Sequence, residues 1–378
     1  MSVERVARQG GVVWRVRWRE GGRNRSKVLG RKRDAEHFDA EVKRRQRVGD
    51  LALVDAGTQT LADFAEEWWS LYAAPNLAPK TRRVYASLWD LHVLPRVGGL
   101  RLRELRPESV NRLIADLHEQ GLAPGTVRKV VALLQGVLQR AVEWGRIPQN
   151  PARLARKPSA TRSREVRPLS PRTIEAIRQH MLRKGRPRDA TLVSVLAYAG
   201  LRPGEALALT WGHVRERTIS VDCATSMGAV RKTKTGRSRT VRLVAPLAHD
   251  LLAWRLACGR PDDGELVFPG KRGGPLTEGQ WNRWQEGIFR QSATAAGVER
   301  PRAYDLRHSF VSALIHEGVS ILEVARQAGH TPTVALNTYG HVFDEFEPAE
   351  RTTAEAQIRR ARDELVPVSY LDVASSEA

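Results

Sequence analysis

The stretch YDLRHSFVSALIHEGVSILEVARQAGHTPTVALNTYGH, residues 304–341, decides how this chain is read. Leu306, Phe310 and Leu314 recur at the spacing of one helix face, so a helix opens at Tyr304-Asp305 and turns these three inward. A short helix over Ile321–Ala328 follows, stopped by Gly329, which can take the left-handed conformation that closes a helix. Thr331-Pro332 then starts a last helix, Thr331 as cap and Pro332 in the first position, where its missing N–H costs nothing. That helix carries Asn337-Thr338-Tyr339-Gly340-His341.

Upstream, Tyr198-Ala199-Gly200-Leu201-Arg202-Pro203-Gly204-Glu205-Ala206-Leu207-Ala208-Leu209 uses the same punctuation. Gly200 ends one helix and Pro203 begins the next, so Arg202 sits in a tight corner with Glu205 one turn away. An Arg–Glu pair at a helix start is often structural and decides nothing alone. Residues 231–243, RKTKTGRSRTVRL, read as a β-hairpin turning at Gly236, with Lys234 just before the bend. Most such lysines are solvated, but one on a hairpin tip can reach into a neighbouring groove.

The 378 residues are too many for one ordinary core and suggest two or three domains. Hydrophobic residues make up 41%, enough to fold. Lys and Arg total 62 against 42 acidic residues, a formal charge of +20. Such an excess favours a polyanionic partner, because each basic side chain set on a phosphate releases condensed counterions. Cys223 and Cys258 have neither metal-ligand spacing nor the numbers for a disulfide framework, which fits a reducing cytoplasm. No metal site is expected. The N-terminal MSVERVARQG lacks the apolar core of a signal peptide, and the apolar stretch around 192–199 is too short to cross a bilayer. A cytoplasmic protein with no membrane partner is expected.

The charge is unevenly spread. Residues 1–50 hold 15 basic and 7 acidic side chains. Within them Trp14, Val16 and Trp18 alternate with Arg15, Arg17 and Arg19, the period of a half-buried strand. Gly21-Gly22 turns the chain into a second strand reaching about Leu29, and residues 33–47 follow with helical spacing of Ala35, Phe38 and Val42. A small sheet backed by a helix, with arginines on its open face, is either a DNA-reading module or a solvated basic hairpin. Residues 50–58 read as a linker. From 60 to 144 the pattern is helical, with one stripe through Leu61, Phe64, Ala65, Trp68, Trp69 and Tyr72, whose aromatics read as core rather than base-stacking platforms. Residues 153–188 carry 12 basic and 2 acidic side chains and four prolines, which suits an extended connector along a phosphate backbone or a solvated linker. Residues 344–378 reverse sign, with 9 acidic and 4 basic side chains.

Taken together, GLRPGEALAL, the TKTG turn, DLRHSF, AGH and NTYGHV, in this order, resemble the tyrosine recombinase (phage integrase) family. The likeness is specific over about 165–350, the catalytic domain. The helical region is similar to the family's core-binding domain, and residues 1–50 to the arm-binding domains of some integrases. The resemblance implies a multi-domain, mainly α fold with small β-sheets. Its parts would be a sheet-plus-helix arm module at 1–50, a helical core-binding domain at 58–150 and a basic linker at 151–164. A mixed α+β catalytic domain at 165–350 and an acidic tail at 351–378 would complete it. It also implies DNA cleavage and rejoining through a 3′-phosphotyrosyl link with Tyr339 as nucleophile. Arg202 and Arg307 would clamp the scissile phosphate as planar bidentate donors, helped by His330. Lys234 would protonate the departing 5′ oxygen, and Glu205 would hold the arginine side in place. Exchanging one phosphodiester for another conserves the bond, so no cofactor is implied.

One position departs from the pattern. Three residues before the second arginine the family commonly has histidine, and here stands Tyr304. A phenol with an ordinary pKa of about 10 is a poor general base, though it can hydrogen-bond the phosphate or orient Arg307. His308 lies about 100° around the helix from Arg307 and is not expected to replace the missing imidazole. Tyr304 is also a rival nucleophile, placed less well than Tyr339. The expected DNA contacts are Arg15, Arg17, Arg19, Arg25, Lys27, Arg82, Arg83, Arg128, Lys129, Arg162 and Arg164. Expected partners are double-stranded DNA with core and arm sites, a homotetramer on that DNA, and an accessory DNA-bending or excision protein. The acidic tail is expected to dock on a neighbouring protomer or to stay mobile. The leading reading is an integrase of a mobile element; a transposase or resolvase with the same chemistry and a non-catalytic DNA-binding regulator are the alternatives.

Overall fold

The computed structural model describes residues 2–8, 11–20, 23–49, 57–155, 166, 168–226, 228–232, 238–344 and 352–364. The chain divides into two compact units, Met1–Ser163 and Arg164–Ala378.

In the first unit the alternating Trp–Arg segment forms β2 (Gly11–Glu20), the middle of a three-stranded antiparallel sheet between β1 (Ser2–Arg8) and β3 (Arg23–Leu29). The sequence reading anticipates only two strands. The first is hidden because SVERVAR mixes charge with small apolar residues, and only pairing of Val3 with Val16 and Ala7 with Val12 gives it an apolar face. Helix α1 (Lys32–Val48) covers that face, burying Val16, Trp18, Ala35 and Val42, with the Trp18 and Phe38 rings edge to face at 5.5 Å. Cross-strand partners share a face, and Trp18 pairs with Arg25 and Val16 with Lys27. Arg25 and Lys27 therefore sit on the helix-covered side, Lys27 Nζ lying 4.5 Å over the Phe38 ring. Arg15, Arg17 and Arg19 form the row on the open face, where Arg17 meets Glu4 at 3.2 Å.

The helical part runs through α2 (Leu61–Trp68), α3 (Pro79–Leu88), α4 (Pro107–Glu119) and α5 (Pro124–Glu143). Thr60 caps α2 by accepting from the Asp63 amide at 3.1 Å, and the Asp63 carboxylate accepts from the Thr60 amide at 3.3 Å. Phe64, Trp68 and Trp89 are buried with Leu113, Leu117, Val130 and Leu134, so these aromatics are core. Because α3 packs on α5, Arg82 and Arg83 lie on a helix adjacent to that of Arg128 and Lys129.

The second unit corrects two readings. The basic stretch 153–188 is not extended throughout: its later part forms α6 (Pro171–Arg183) and the start of α7 (Pro187–Tyr198). Ser170 caps α6, Pro171 takes its first position, and Ile174, Ile177 and Met181 make a buried stripe that charge counting overlooks. Every residue from Asp189 to Tyr198 is buried, which makes α7 the central helix, packed by α6, α9 (Ala245–Ala257) and α11 (Ala303–His316). The second correction concerns the 231–243 hairpin. β6 (Ala229–Lys232) pairs instead with β5 (Cys223–Ser226), and β7 (Arg239–Arg242) returns to β4 (Thr218–Val221). Two small ladders thus replace the single one read from the Gly236 turn.

After α8 (Pro203–Ala206), these ladders and α10 (Glu278–Trp284), the unit closes with α12 (Ile321–Ala328), α13 (Pro332–Asp344) and α14 (Ala354–Asp363). Within the sign-reversed tail, α14 packs against α6 of its own unit, and Arg362 reaches Glu175 and Asp250. Among the described residues no helix is long and apolar enough to cross a membrane.

Candidate active site

Several segments of the second unit converge on one place. The first is the corner after α7, where Gly200 takes φ +59° and a Cβ would stand 2.1 Å from the Phe310 ring, so only glycine fits. The corner sets Arg202 just before α8. The Arg202 amide donates to Glu205 Oε2 at 2.8 Å, its Nη1 donates to Glu205 Oε1 at 2.9 Å, and its Nη2 donates to the Gly329 carbonyl at 2.5 Å.

The second is β7, which brings in a residue absent from the sequence reading. Arg239 donates to both Glu205 oxygens, at 2.9 and 2.6 Å, and through Nε to the Gln327 carbonyl at 2.9 Å. Burial alone would raise the Glu205 carboxyl, but the hydrogen bonds and charge of Arg239, then those of Arg202, outweigh it and bring it down to about 2. Glu205 is thus a buried anion shared by two guanidiniums.

Arg307, on the first turns of α11, is fully buried. It donates to the Gly200 and Ala328 carbonyls, ends of α7 and α12, and its Nη2 lies 2.9 Å from His330 Nε2. Gly329, at φ +63°, makes the turn that carries His330 past Ala328. Burial, and then the Arg202 charge, hold the Arg307 guanidinium below the ordinary arginine range. Burial first, then Arg307 and Arg202, push His330 down to about 3. Among the described residues Arg307 Nε and His330 Nδ1 are buried without a hydrogen-bond partner, a cost that polar atoms rarely bear in a finished interior.

Tyr339, on α13, is buried with its ring stacked toward His330 at 6.4 Å between centroids. Its hydroxyl lies 2.7 Å from His308 Nδ1. The 100° offset of His308 from Arg307 does not anticipate this contact. The relevant neighbour is Tyr304 and not Arg307: positions 304 and 308 are i and i+4, share a helix face, and bring their rings edge to face at 5.1 Å. That spacing is visible in the sequence. Burial raises the Tyr339 phenol above its ordinary range by more than the Arg307 charge lowers it, and burial with Arg307 and Arg302 pushes His308 down to about 4.

The structure therefore brings together Arg202, Glu205, Arg307, His330 and Tyr339, adds Arg239 and His308, and leaves Tyr304 at the exposed rim. Lys234, Arg162 and Arg164 lie outside the described residues. Arg202 and Arg239 share one carboxylate, and Arg307 adds a third guanidinium beside the Tyr339 phenol, an excess of positive charge that can receive an anion there. Among the described residues no group of three or more His, Cys, Asp or Glu is placed to hold a metal ion.

Comparison with known proteins matches residues 167–345 to the phage integrase family and residues 60–118 to the phage integrase N-terminal SAM-like domain. An integrase of Streptomyces ambofaciens is 29% identical over 324 residues, 80% of each chain. The tyrosine recombinase XerC of Roseiflexus castenholzii is 27% identical over 272 residues, covering 69% of this chain and 83% of its own. In fold, the chain is similar to Tn1549 transposon integrase, solved in complex with transposon right end DNA. The TM-score is 0.64 at 18% identity, over 81% of this chain and 99% of that one.

Proposed function

The chain belongs to the phage integrase family, and on that premise we propose that it is a site-specific DNA recombinase whose Tyr339 attacks the scissile phosphate to form a 3′-phosphotyrosyl link. The observation that carries the residue assignment is the excess of buried positive charge beside the Tyr339 hydroxyl, with Arg307 Nε and His330 Nδ1 unpartnered. A phosphodiester anion supplies what this pocket lacks. Catalysis of phosphoryl transfer is mostly positioning and charge stabilisation, and planar guanidiniums suit non-bridging oxygens.

In this reading Arg202 and Arg307 clamp the phosphate, His330 adds a hydrogen bond, and Glu205 with Arg239 fixes the Arg202 side. Lys234 protonates the departing 5′ oxygen. Arg15, Arg17 and Arg19 on the open sheet face contact an arm-type site. Arg82, Arg83, Arg128 and Lys129 contact the core site, with Arg162 and Arg164 along the connecting backbone. Arg25 and Lys27, on the helix side of the sheet, act there by holding the module together. Strand exchange between two duplexes needs four cleavages, hence a tetramer on DNA. Integration and excision of a mobile element, with an accessory DNA-bending or excision protein and a cytoplasmic location, complete the proposal.

A nicked half-site of the core sequence tests it. Wild-type protein is expected to trap a covalent adduct visible on a denaturing gel, and Tyr339→Phe to bind the same DNA and trap none. Normal cleavage by that variant would refute the nucleophile assignment.

A further inference from the structure

We infer that His308 is the group that takes the Tyr339 proton, doing the work that the family's usual histidine position, here Tyr304, cannot do. The inference rests on the recombinase reading above. Its ground is geometric: His308 Nδ1 is 2.7 Å from the Tyr339 oxygen, while Tyr304 sits across the His308 ring at 5.1 Å between centroids and faces solvent. A single turn of α11 moves the imidazole from the first position of the helix face to the next, and α13 brings the phenol to meet it there.

The step balances. The Tyr339 O–H bond breaks and its proton passes to His308 Nδ1 as the phenolic oxygen bonds to phosphorus. The bond from phosphorus to the 5′ oxygen breaks, and that oxygen takes a proton from Lys234. Rejoining reverses each transfer, and the phosphodiester keeps one negative charge throughout.

The groups facing His308 fit the task. Tyr339 stands on one side and Tyr304 on the other, with the charges of Arg307 and Arg302 and the nearby His330 behind. Burial and the two arginines keep the imidazole neutral, with its pKa at about 4, so it is free to accept a proton at ordinary pH. An anion on Arg307 offsets its repulsion of an imidazolium and makes His308 a stronger base when DNA is bound. The base thus strengthens on arrival of the substrate.

The test is single-turnover cleavage of a core half-site against pH, by wild type and His308→Gln, with binding measured in parallel. Glutamine can accept a hydrogen bond from Tyr339 but cannot keep its proton. His308→Gln is expected to bind like wild type, to cleave about a hundredfold or more slowly near neutrality, and to gain about tenfold per pH unit where wild type has levelled off. Equal rates and equal profiles would overturn the inference while leaving the recombinase reading intact; no adduct with wild-type protein would sink that reading instead. A Tyr304→Phe variant that loses the wild-type plateau, while His308→Gln keeps it, would assign the proton to Tyr304. Should His308→Gln fail to bind, ¹⁵N-histidine NMR of the unaltered protein decides. His308, identified by its shift in Tyr339→Phe, is expected as the Nε2–H tautomer with Nδ1 bare. A proton on Nδ1 would make it a donor to Tyr339 and overturn the assignment.

Discussion

Two ionic knots lie in the second unit, and they differ in their balance. Under α14, Glu175 and Asp250 face Arg178 and Arg362: two carboxylates, two guanidiniums, and the hydroxyls of Ser194 and Tyr198 to use the remaining lone pairs. Around Tyr339, Glu205 is the one carboxylate among the described residues that pairs with Arg202 and Arg239, Arg307 adds a third guanidinium, and two polar atoms there have no hydrogen-bond partner among the described residues. A balanced knot is complete in itself and holds helices together. An unbalanced one is stable only because the surrounding fold enforces it, and it gains from an arriving anion. The difference separates architecture from chemistry among residues of the same types.

The largest effect expected from this contrast is in the balanced knot. Arg178 meets Asp250 at 2.6 Å and Glu175 at 2.5 Å in a site closed to water. Arg178→Met leaves two buried carboxylates with one partner, and should cost about 3–5 kcal/mol of stability, read as a lowered urea midpoint. A loss under 1 kcal/mol would show that the knot is wetter than it looks. Arg202→Gln, in the unbalanced knot, should do the reverse. Single-turnover cleavage should fall about 10²–10³-fold while the urea midpoint scarcely moves, because one repulsive charge beside Arg307 is lost with the clamp.

The same contrast explains how much of the fold and site is legible in the sequence. Helix caps and breakers are local signals. Gly200, Pro203, Gly329 and Thr331-Pro332 therefore place Arg202 and His330 at helix ends, and Tyr339 on the last helix, by residue type alone. Arg239 is illegible because its carboxylate lies 34 residues away on another element, and Arg362 because Glu175 is 187 residues distant. His308 is legible, but only when its angle is taken from Tyr304, four residues back, rather than from Arg307. β1 and α6 stay hidden because their high charge masks an apolar stripe that shows only once a partner face exists.

A smaller effect concerns pH. The Glu205 carboxyl is brought from its ordinary 4.5 down to about 2, so its ionised form contributes stability that is fully present above 4.5 and lost as pH falls toward about 2. Part of the acid destabilisation of wild type between about pH 5 and pH 3 should therefore vanish in Glu205→Gln, which starts from a lower midpoint. Parallel curves for the two proteins would mean that Arg239 and Arg202 do not hold the carboxyl as tightly as their 2.6–2.9 Å contacts imply.

The smallest effect is the most direct test of imbalance. If the Tyr339 site lacks an anion, sulfate should bind the folded protein there and not the unfolded chain. At tenfold above its dissociation constant it then contributes about 1.4 kcal/mol, or roughly 3–6 °C of melting temperature. Sodium chloride at equal ionic strength controls for general screening. Arg202→Gln, with the clamp arm gone, should lose most of the sulfate increment. Arg362→Gln should melt lower than wild type in every buffer, because Asp250 and Glu175 are left short of a partner, yet gain the same increment from sulfate. An increment lost in Arg362→Gln and kept in Arg202→Gln would place the anion in the wrong knot, and the distinction between the two would fall.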